Sequence, residues 1–368
     1  MMKDVSTYIP YLTAFFSAFV IALILMPVAI SLLKRFNVMD IPDKRKIHKA
    51  PIPRMGGIVI FTAFAAAVVF VAPHNIKWHG IVLGGGIALL IGCADDIWGV
   101  PAPIKLIALF ALTLLIWQFG IITKLPISKL FGIPNGPLNV GCNLIITMLW
   151  LTGLSSAINA MDHMDGLAGT VSLVAASAYF AVSIQSHQLA WAVISLALMG
   201  SLVGFLCFNI HPAKVFMGDS GSFFLGFSLA SIGIMGGWSP NPIKAAVIPI
   251  AILSVPIFDL IFVIISRKYK GITNSILESI KYCGKDHIGH RLNNMGFSQP
   301  VSVFIVSLVS ITIAISALTI RHTKFWESLL LLIQIFMIYI IIAIFMEIAM
   351  LNTIKVYYIN KKRSKLKK

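Results

Sequence analysis

The sequence has few charged residues, and long apolar runs take their place. Only 11% of its 368 residues are charged and 58% are hydrophobic, whereas a soluble domain carries roughly 25% charged residues. The apolar runs recur from one end of the chain to the other, which excludes a soluble domain with a single membrane anchor. We therefore predict a helical membrane protein throughout.

The sequence also lacks the patterns of metal-binding and modular proteins. Its four cysteines, Cys93, Cys142, Cys207 and Cys283, form no CxxC pair and no metal-ligand spacing, so we expect them to be structural or neutral. No fixed-period repeat and no soluble linker long enough to separate domains is visible. Residues 1–368 are therefore predicted to form a single membrane-embedded domain.

Apolar segments of about 20 residues, the length that crosses a bilayer as a helix, recur about eleven times. Their approximate limits are 9–33, 57–73, 80–95, 103–122, 142–158, 167–186, 188–209, 222–238, 243–266, 300–320 and 327–352. The first segment is expected to be retained, because Lys34 and Arg35 follow it and no small-residue cleavage site does. The predicted fold class is all-α, a polytopic membrane protein with about eleven transmembrane helices.

Basic residues are concentrated on one side of this predicted topology. With eleven spans, 22 of the 29 Lys and Arg residues fall on the side of the C-terminus and 7 on the other side. Because cytoplasmic loops carry the excess of Lys and Arg, the N-terminus is predicted outside and the C-terminus in the cytoplasm. The net charge of +16 then requires no nucleic acid partner, since an anionic leaflet attracts such loops.

Acidic residues are scarce, and most of the 13 lie on the predicted cytoplasmic side. Asp95 and Asp96 end the third segment, Asp162 and Asp165 follow the fifth, and Asp219 opens the eighth. A carboxylate inside a membrane segment costs about 2.5–3.5 kcal/mol on insertion scales, which makes such residues functional candidates. An interfacial ion pair explains any single Asp equally well, but five in three loops on one face favour a shared site.

Each group of acids lies in a distinctive frame. In GCADDIWGVPAPIKL, Lys105 is a nearby partner for the adjacent carboxylates. In NAMDHMDGLAGT, Asn159, Asp162 and Asp165 recur every third residue, a spacing that puts them on one side of a helical turn, and the glycines that follow let a phosphate approach the backbone. In FNIHPAKVFMGDSGSFFLGF, Asp219 is favoured as a functional acid over the alternative role of helix N-cap, and the capping and metal roles are compatible.

The type of ligand indicates which metal is expected. Carboxylates beside basic residues, without a cysteine–histidine cluster, favour Mg²⁺, with Mn²⁺ as an alternative, over zinc. Magnesium usually takes one or two protein carboxylates together with phosphate oxygens, so five acids exceed the need of one ion. The others are expected to act as base, nucleophile or substrate contacts, and the pattern predicts a magnesium-dependent site for phosphoryl transfer.

Two loops supply basic and imidazole side chains. The loop DIPDKRKIHKAPIPRMGGI contains Lys49 and Arg54 and suits a phosphate-facing lid, although its charge alone is better explained by the positive-inside rule. The loop DHIGHRLNNMGFS places His287, His290 and Arg291 at helical spacing. No third soft metal ligand is near this second loop, so contacts to a diphosphate are favoured there.

These four motifs resemble those of the polyprenyl-phosphate N-acetylhexosamine-1-phosphate transferases, over residues 34–298. The chain looks most similar to the bacterial undecaprenyl-phosphate GlcNAc-1-phosphate branch of glycosyltransferase family 4, which starts O-antigen and teichoic-acid linkage units. The resemblance implies that undecaprenyl phosphate attacks the sugar-bearing phosphorus of a UDP-N-acetylhexosamine and that UMP leaves, at the cytoplasmic face of the inner membrane. GlcNAc is the default sugar. Direct attack, a covalent phospho-Asp step and a homodimer all stay open.

The resemblance also implies roles for individual residues. Asp219 is the leading magnesium ligand and Asn159 a second, while Phe216 matches an aromatic residue that stacks on uracil and Asn209 its polar neighbour. The matching catalytic acids are Asp95 and Asp96, tied to catalysis and the lipid phosphate, and Asp162 and Asp165, near the nucleotide. The matching phosphate-facing residues are Lys49, Arg54, Lys105, His287, His290 and Arg291.

Two positions depart from the pattern of that family. The histidine motif usually carries another His where this chain has Gly289, which puts sugar or diphosphate contacts from that loop in question. The second acidic motif often has Gly or Asn where this chain has His163, a change that could alter the nucleotide site or the sugar preference. Asp259 and Arg267 resemble a recurring acid and base, for which a structural salt-bridge role is equally open.

Two other functions compete with this interpretation. The related phospho-N-acetylmuramoyl-pentapeptide transferases have a run of consecutive histidines that this chain lacks. A cation-coupled transporter would place its acids near the membrane midplane on broken helices, often in repeated halves. Here the acids lie at helix ends on one side, and no repeat is visible.

Overall fold

The computed structural model describes residues 8–42, 50–72, 76–128, 132, 135–282 and 284–365, and the side chains of 76, 77 and 349–365 lie outside that description. The chain is helical apart from strands β1 (Met39–Asp40) and β2 (Ile52–Pro53), which pair antiparallel. The helices are α1 (Ile9–Arg35), α2 (Gly57–Val71), α3 (Ile76–Trp98), α4 (Ala102–Ile116), α5 (Pro137–Met161), α6 (Leu167–Gln185), α7 (Leu189–Asn209), α8 (Gly218–Met235), α9 (Pro242–Ile252), α10 (Ser254–Tyr269), α11 (Ile276–Lys281), α12 (Ile288–Asn294), α13 (Gln299–Ile320) and α14 (Phe325–Lys365). A 3₁₀ turn, Trp117–Phe119, extends α4.

Eight helices of the described residues are long and apolar enough to cross a membrane. A ninth span is counted if α9 and α10 form one bent element. Each of the eleven predicted apolar segments contains a helix, but α2 is shorter than a typical span and α8 falls outside the group of eight. The polytopic all-helical class is therefore confirmed, whereas the count of eleven stays a prediction.

Helix α8 lies at the centre of the bundle. Every residue from 220 to 233 is buried, and α2, α3, α5 and α6 pack around it. Four buried serines, at positions 220, 222, 228 and 231, explain why its composition is less apolar than that of the outer helices. Because protein rather than lipid surrounds α8, small polar residues are tolerated and allow neighbouring helices to approach closely.

Two long elements differ from the predicted segments. The segment predicted at 243–266 is two helices, α9 and α10, which are bent by 71° at Leu253. Pro249 lies inside α9 and removes one backbone donor from it. The last helix, α14, continues beyond 352 to Lys365, so the basic C-terminal segment is largely helical.

Helix ends bring the short loops together on one side of the bundle. The strands β1 and β2 close the base of the first basic loop, with Asp40 opposite Ile52. Residues that follow β2 pair with the segment before α8, because Phe216 N–H donates to Pro53 O at 2.8 Å and Gly56 N–H donates to Phe216 O at 2.9 Å. The starts of α2 and α8 are thereby held side by side.

Candidate active site

The first turn of α8 is capped by a carboxylate from α3. Asp96 is 4% exposed, and its two oxygens accept the backbone N–H groups of Asp219 at 3.1 Å and Ser220 at 3.0 Å. Gly218 precedes them with φ +75°, a conformation that glycine adopts without strain. The alternative prediction that Asp219 itself caps α8 is wrong, because its side chain makes no capping hydrogen bond and Asp96 satisfies these amides.

Glycines allow three helices to meet at this point. A β-carbon at Gly92 of α3 would lie 2.2 Å from the carbonyl oxygen of Asp219, and one at Gly57 of α2 would lie 2.1 Å from Cα of Gly221. Both distances are far shorter than any real carbon contact, so larger residues would push α8 away. The backbone contact at Gly92 fixes Asp219 relative to the acids that end α3.

Lys105 lies between two of the predicted site acids. Its ammonium is ion-paired with Asp95 and lies 3.5 Å from Oδ2 of Asp219. A cation between two carboxylates offsets their mutual repulsion. The ring of Phe223 lies 5.7 Å from Lys105 Nζ and adds a cation–π contact. Structure and prediction agree that Asp95, Lys105 and Asp219 are neighbours.

The α5–α6 turn separates residues that were expected on one helical face. Helix α5 ends at Met161, and Asp162 follows it with non-helical dihedrals, so the expectation of one helical side for Asn159, Asp162 and Asp165 is wrong. Asn159 stays in the helix and donates its amide to Ser222 Oγ at 2.9 Å, one turn after Asp219. The other two side chains line the cavity.

A second group of contacts holds this turn against the loop between α7 and α8. Asp165 Oδ2 lies 2.7 Å from Nδ1 of His211 and accepts the backbone N–H of Ala213 at 3.2 Å. Asn209 is 2% exposed and bridges the same two loops, because its Oδ1 accepts from Gly166 N–H at 3.0 Å and its Nδ2 donates to Val215 O at 2.9 Å. The amide of Asn209 is therefore engaged within the protein.

The glycines after this turn serve packing in the structure. Gly166 donates its N–H to Asn209, and a β-carbon at Gly169 would lie 2.9 Å from Leu206 of α7. The sequence pattern predicts that these glycines let a phosphate approach the backbone. The structure instead uses them for a loop contact and for the close packing of α6 on α7.

A cavity of about 660 Å³ opens where these loops meet. Eight of the site residues predicted from the sequence line this cavity: Arg54, Asp96, Asp162, Asp165, Asn209, Phe216, Asp219 and His290. They come from positions far apart in the sequence, and a cavity of this size suits a small-molecule substrate. Lys49 lies outside the described residues. Asp95, Lys105 and Asn159 lie beside the cavity through their contacts with α8.

In the part of the first basic loop that the structure describes, Arg54 lines the cavity. Its guanidinium donates to the backbone carbonyl of Asp96, which ties the loop after β2 to the end of α3. Its Nε is buried and has no hydrogen-bond partner among the residues that the structure describes. A half-buried guanidinium with an unused donor is suited to an anionic ligand.

The histidine loop divides between the cavity and the protein interior. His287 Nδ1 lies 2.7 Å from Asp259 Oδ2, and Asp259, 1% exposed, also accepts the N–H of Ile288 at 2.8 Å. His290 faces the cavity. Arg291 does not reach it: the guanidinium is 3% exposed and pairs with Glu347 of α14 at 3.0 Å. The assignment of Arg291 as a substrate contact is therefore corrected to an internal anchor.

Arg267 anchors the same loop from the other side. It binds Asp286 bidentately, with Nε–Oδ2 and Nη2–Oδ1 distances of 2.7 Å. Burial alone would raise the pKa of Asp286, but the hydrogen bonds and charge of Arg267 hold it below its ordinary value. Asp259 and Arg267 therefore both have the structural role that the sequence left open. Asp259 pairs with His287, and Arg267 pairs with Asp286.

Two cavity-facing groups outside the membrane-spanning helices have shifted pKa values. Enclosure by protein raises the pKa of Asp162 well above its ordinary value, and the charges of Asp219, Asp96 and Asp165 add to the rise. Burial lowers the pKa of His290 to about 4, helped by the neighbouring charges of His287 and Lys285. A carboxyl with a raised pKa beside a neutral imidazole is typical of a site for proton transfer or anion recognition.

Sequence reasoning missed several lining residues. Asp40, His211 and Gln299 line the cavity, although the first two lie inside motifs that the sequence analysis quoted. His163 also lines it and was noted only as a departure from the family pattern. The position of Asp40 at the start of the basic loop was a usable signal in the sequence, whereas Gln299 reaches the cavity only through the packing of α13.

The acids fit a divalent cation that also binds phosphate. No group of three or more His, Cys, Asp or Glu side chains in the described part of the chain forms a preassembled metal site. Magnesium needs only one or two carboxylates when phosphate oxygens complete its shell. Asp219 supplies carboxylate oxygens of that kind at the cavity edge. Asp95 is linked to it through Lys105, and Asn159 binds Ser222 one turn further along α8.

Comparison with known proteins identifies the family of the chain. The model of the family described as "Glycosyl transferase family 4" matches residues 78–237. A "Probable undecaprenyl-phosphate N-acetylglucosaminyl 1-phosphate transferase" of Bacillus subtilis is 33% identical over 339 residues, which cover 91% of this chain and 90% of that protein.

More distant relatives carry the names of different transferases. A decaprenyl-phosphate N-acetylglucosaminephosphotransferase of Mycolicibacterium smegmatis is 29% identical over 74% of this chain and 73% of its own length. A phospho-N-acetylmuramoyl-pentapeptide-transferase of Clostridium botulinum is 27% identical over 83% of this chain and 94% of its own length. The Bacillus subtilis relative covers nearly the whole length of this chain at higher identity, and the chain belongs to glycosyl transferase family 4.

Proposed function

We propose that this protein transfers an N-acetylhexosamine 1-phosphate, with GlcNAc as the default sugar, from a UDP-sugar to undecaprenyl phosphate. An oxygen of the lipid phosphate bonds to the sugar-bearing phosphorus, and the bond from that phosphorus to the bridging oxygen breaks. The bridging oxygen leaves with UMP, so the lipid carries a sugar diphosphate. The product starts a cell-envelope glycan.

The observation that carries this proposal is the convergence of acids from three loops on one cavity. Asp96, Asp162 and Asp219 end or begin different helices, yet they line the same space together with Arg54 and His290. Relatives named as polyprenyl-phosphate N-acetylglucosamine phosphotransferases support the choice of donor and acceptor. Acids and bases in this arrangement suit positioning and charge neutralisation, which dominate catalysis of phosphoryl transfer.

Some of these residues are proposed to bind the substrate or the metal, and others hold the binding residues in position. Arg54 and His290 are placed to contact the donor's diphosphate, and Phe216 offers a ring for the uracil. Asp219 would hold Mg²⁺, assisted by Asn159, and the ion, or Mn²⁺ in its place, would supply neutralisation of the charge on the diphosphate. Lys105 keeps Asp219 and Asp95 together at the cavity edge.

We further propose eleven spans, an external N-terminus and a cytoplasmic active site in a bacterial inner membrane. The excess of basic residues on one side supports this orientation. Single cysteines at Lys124 and Lys285, in a background with the native cysteines replaced, test it in spheroplasts. An impermeant thiol reagent should label position 124 directly and position 285 only after permeabilisation, and the reverse order would contradict the orientation.

The activity is tested with purified protein, Mg²⁺ and undecaprenyl phosphate. The donors are UDP-GlcNAc, UDP-GalNAc, UDP-glucose and UDP-N-acetylmuramoyl-pentapeptide, and released UMP is measured with and without the lipid. We expect lipid-dependent UMP from a UDP-N-acetylhexosamine and loss of that signal on chelation. Absence of lipid-dependent UMP from every donor would refute the proposal.

The metal assignment has its own variant. Asp219→Ala should abolish lipid-dependent UMP release, while Glu278→Gln, which removes a charge from an exposed position of α11, should leave it unchanged. Full activity of Asp219→Ala would refute the metal role of Asp219 and leave the transferase activity standing. Chemical analysis of the lipid product identifies the sugar that is transferred.

A further inference from the structure

Three imidazoles from two separate loops converge at one end of the cavity. The ring centroid of His163, in the α5–α6 turn, lies 4.6 Å from that of His290 and 5.3 Å from that of His287. His287 is turned toward Asp259, whereas His163 and His290 line the cavity. The α5–α6 turn and the histidine loop therefore meet through these tilted rings.

The ring of His163 occupies the space that a side chain at Gly289 would need. A β-carbon built on Gly289 would lie 2.7 Å from His163 Nε2 and 2.6 Å from Met164 Sδ. Real β-carbons essentially never come this close to another heavy atom. A side chain at position 289 therefore requires both His163 and Met164 to move from their present positions.

Hydrogen bonding fixes the orientation of the His163 ring. Its Nδ1 lies 3.0 Å from the carbonyl oxygen of Ala160, and a carbonyl only accepts, so Nδ1 carries the hydrogen. The other nitrogen, Nε2, is buried and has no partner among the described residues. Burial, together with the neighbouring His287 and His290, lowers the pKa of His163 to about 3. The ring is therefore a neutral, immobile surface behind His290.

These contacts connect the two positions at which the chain departs from its family pattern. We propose that residues 163 and 289 form one coupled unit, in which the imidazole of His163 fills the space left at Gly289 and positions His290 against the donor's diphosphate. This inference rests on the proposed transferase function. His163 is a positioning residue, since it acts through His290, and the missing side chain at 289 is what allows it to be there.

Exchange of the two residues tests the coupling. His163→Gly should raise the KM for the UDP-sugar roughly three- to tenfold, the worth of one ring contact, with kcat changed less than about twofold. Gly289→His should lower kcat/KM more than about tenfold, because its side chain collides with His163. The double variant should return to within about threefold of the wild type. Singles whose effects simply multiply in the double variant would overturn the inference.

A stability measurement covers the case in which Gly289→His fails to fold. Gly289→Ala should lower the thermal unfolding midpoint in the wild-type background and lower it by less beside His163→Gly, where only the contact with Met164 remains. Equal decreases in both backgrounds would overturn the coupling. The matched controls are His187→Gly, at an exposed turn with φ 55°, and Gly153→Ala, where a β-carbon meets no atom within 4 Å.

The two proposals fail in different ways. If the wild type releases no lipid-dependent UMP from any donor, the transferase proposal fails, while the Gly289→Ala cycle still measures the packing of residues 163 and 289. If the wild type turns over and His163→Gly leaves the KM for the UDP-sugar unchanged, the positioning role of His163 fails alone.

Discussion

The carboxylate of Asp96 accepts the backbone N–H of Asp219 at 3.1 Å. One acid of the site therefore holds the backbone that carries another. Both oxygens of Asp96 are engaged with α8, so Asp96 acts by fixing the position of Asp219. Adjacent in sequence, Asp95 and Asp96 have different tasks, because Asp95 is ion-paired with Lys105.

Removal of the Asp96 cap should affect stability and activity together. Replacing an N-cap residue with alanine costs about 0.5–2 kcal/mol, so Asp96→Ala should lower the thermal unfolding midpoint. Displacement of Asp219 should also lower kcat about 100-fold, since small misplacements of catalytic groups are costly. Both are measured on purified protein in detergent, with Glu278→Gln as the control. An unchanged unfolding midpoint would contradict the capping role.

Lys105 should be needed for its charge. Lys105→Met leaves Asp95 and Asp219 facing each other without a cation between them, so repulsion should displace Asp219 and lower kcat about 100-fold. Lys105→Arg keeps the charge and should retain more activity than Lys105→Met. UMP release at saturating substrates is the measurement, and equal activities of the two variants would contradict a charge-based role.

Arg291 and His290 should differ in the property that each controls. Arg291→Met keeps a side chain at this buried position but removes the guanidinium that pairs with Glu347 at 3.0 Å and donates to the backbone oxygen of Asp286 at 2.5 Å, and a buried hydrogen-bonding group left unpaired costs about 1–3 kcal/mol. We expect a large fall in unfolding midpoint and a KM for the UDP-sugar within about twofold of wild type. His290→Asn should show the opposite pattern. A raised KM with unchanged stability in Arg291→Met would restore it as a substrate contact.

Acidification should destabilise the protein through its buried imidazoles. The pKa values of His163 and His290 are lowered in the fold to about 3 and about 4, from about 6.5 in an unfolded chain. Between these limits the unfolded state binds more protons, so stability falls as the pH decreases below about 6.5. The decrease in unfolding midpoint from pH 7 to pH 5 should be smaller in His163→Asn than in wild type. Equal slopes would contradict the burial of a neutral His163.

The sequence by itself determined the class of the fold and predicted several of the residues that line the cavity. Long apolar segments can satisfy their backbone hydrogen bonds in lipid only as helices, so hydropathy sufficed to predict the helical membrane class. Acids are costly in such segments, which made Asp96, Asp162 and Asp219 conspicuous. Their appearance around one cavity follows from helix ends that lie on the same side.

Only the tertiary structure decided what each side chain does. Spacing along the chain could not reveal that Asp96 would cap a helix 123 residues away, or that Arg291 would turn to α14 instead of the cavity. Such contacts depend on how helices pack and on which donors remain unpaired after packing. In the same way, His163 and Gly289 are two unrelated departures in the sequence, and they become one contact because two loops meet in space.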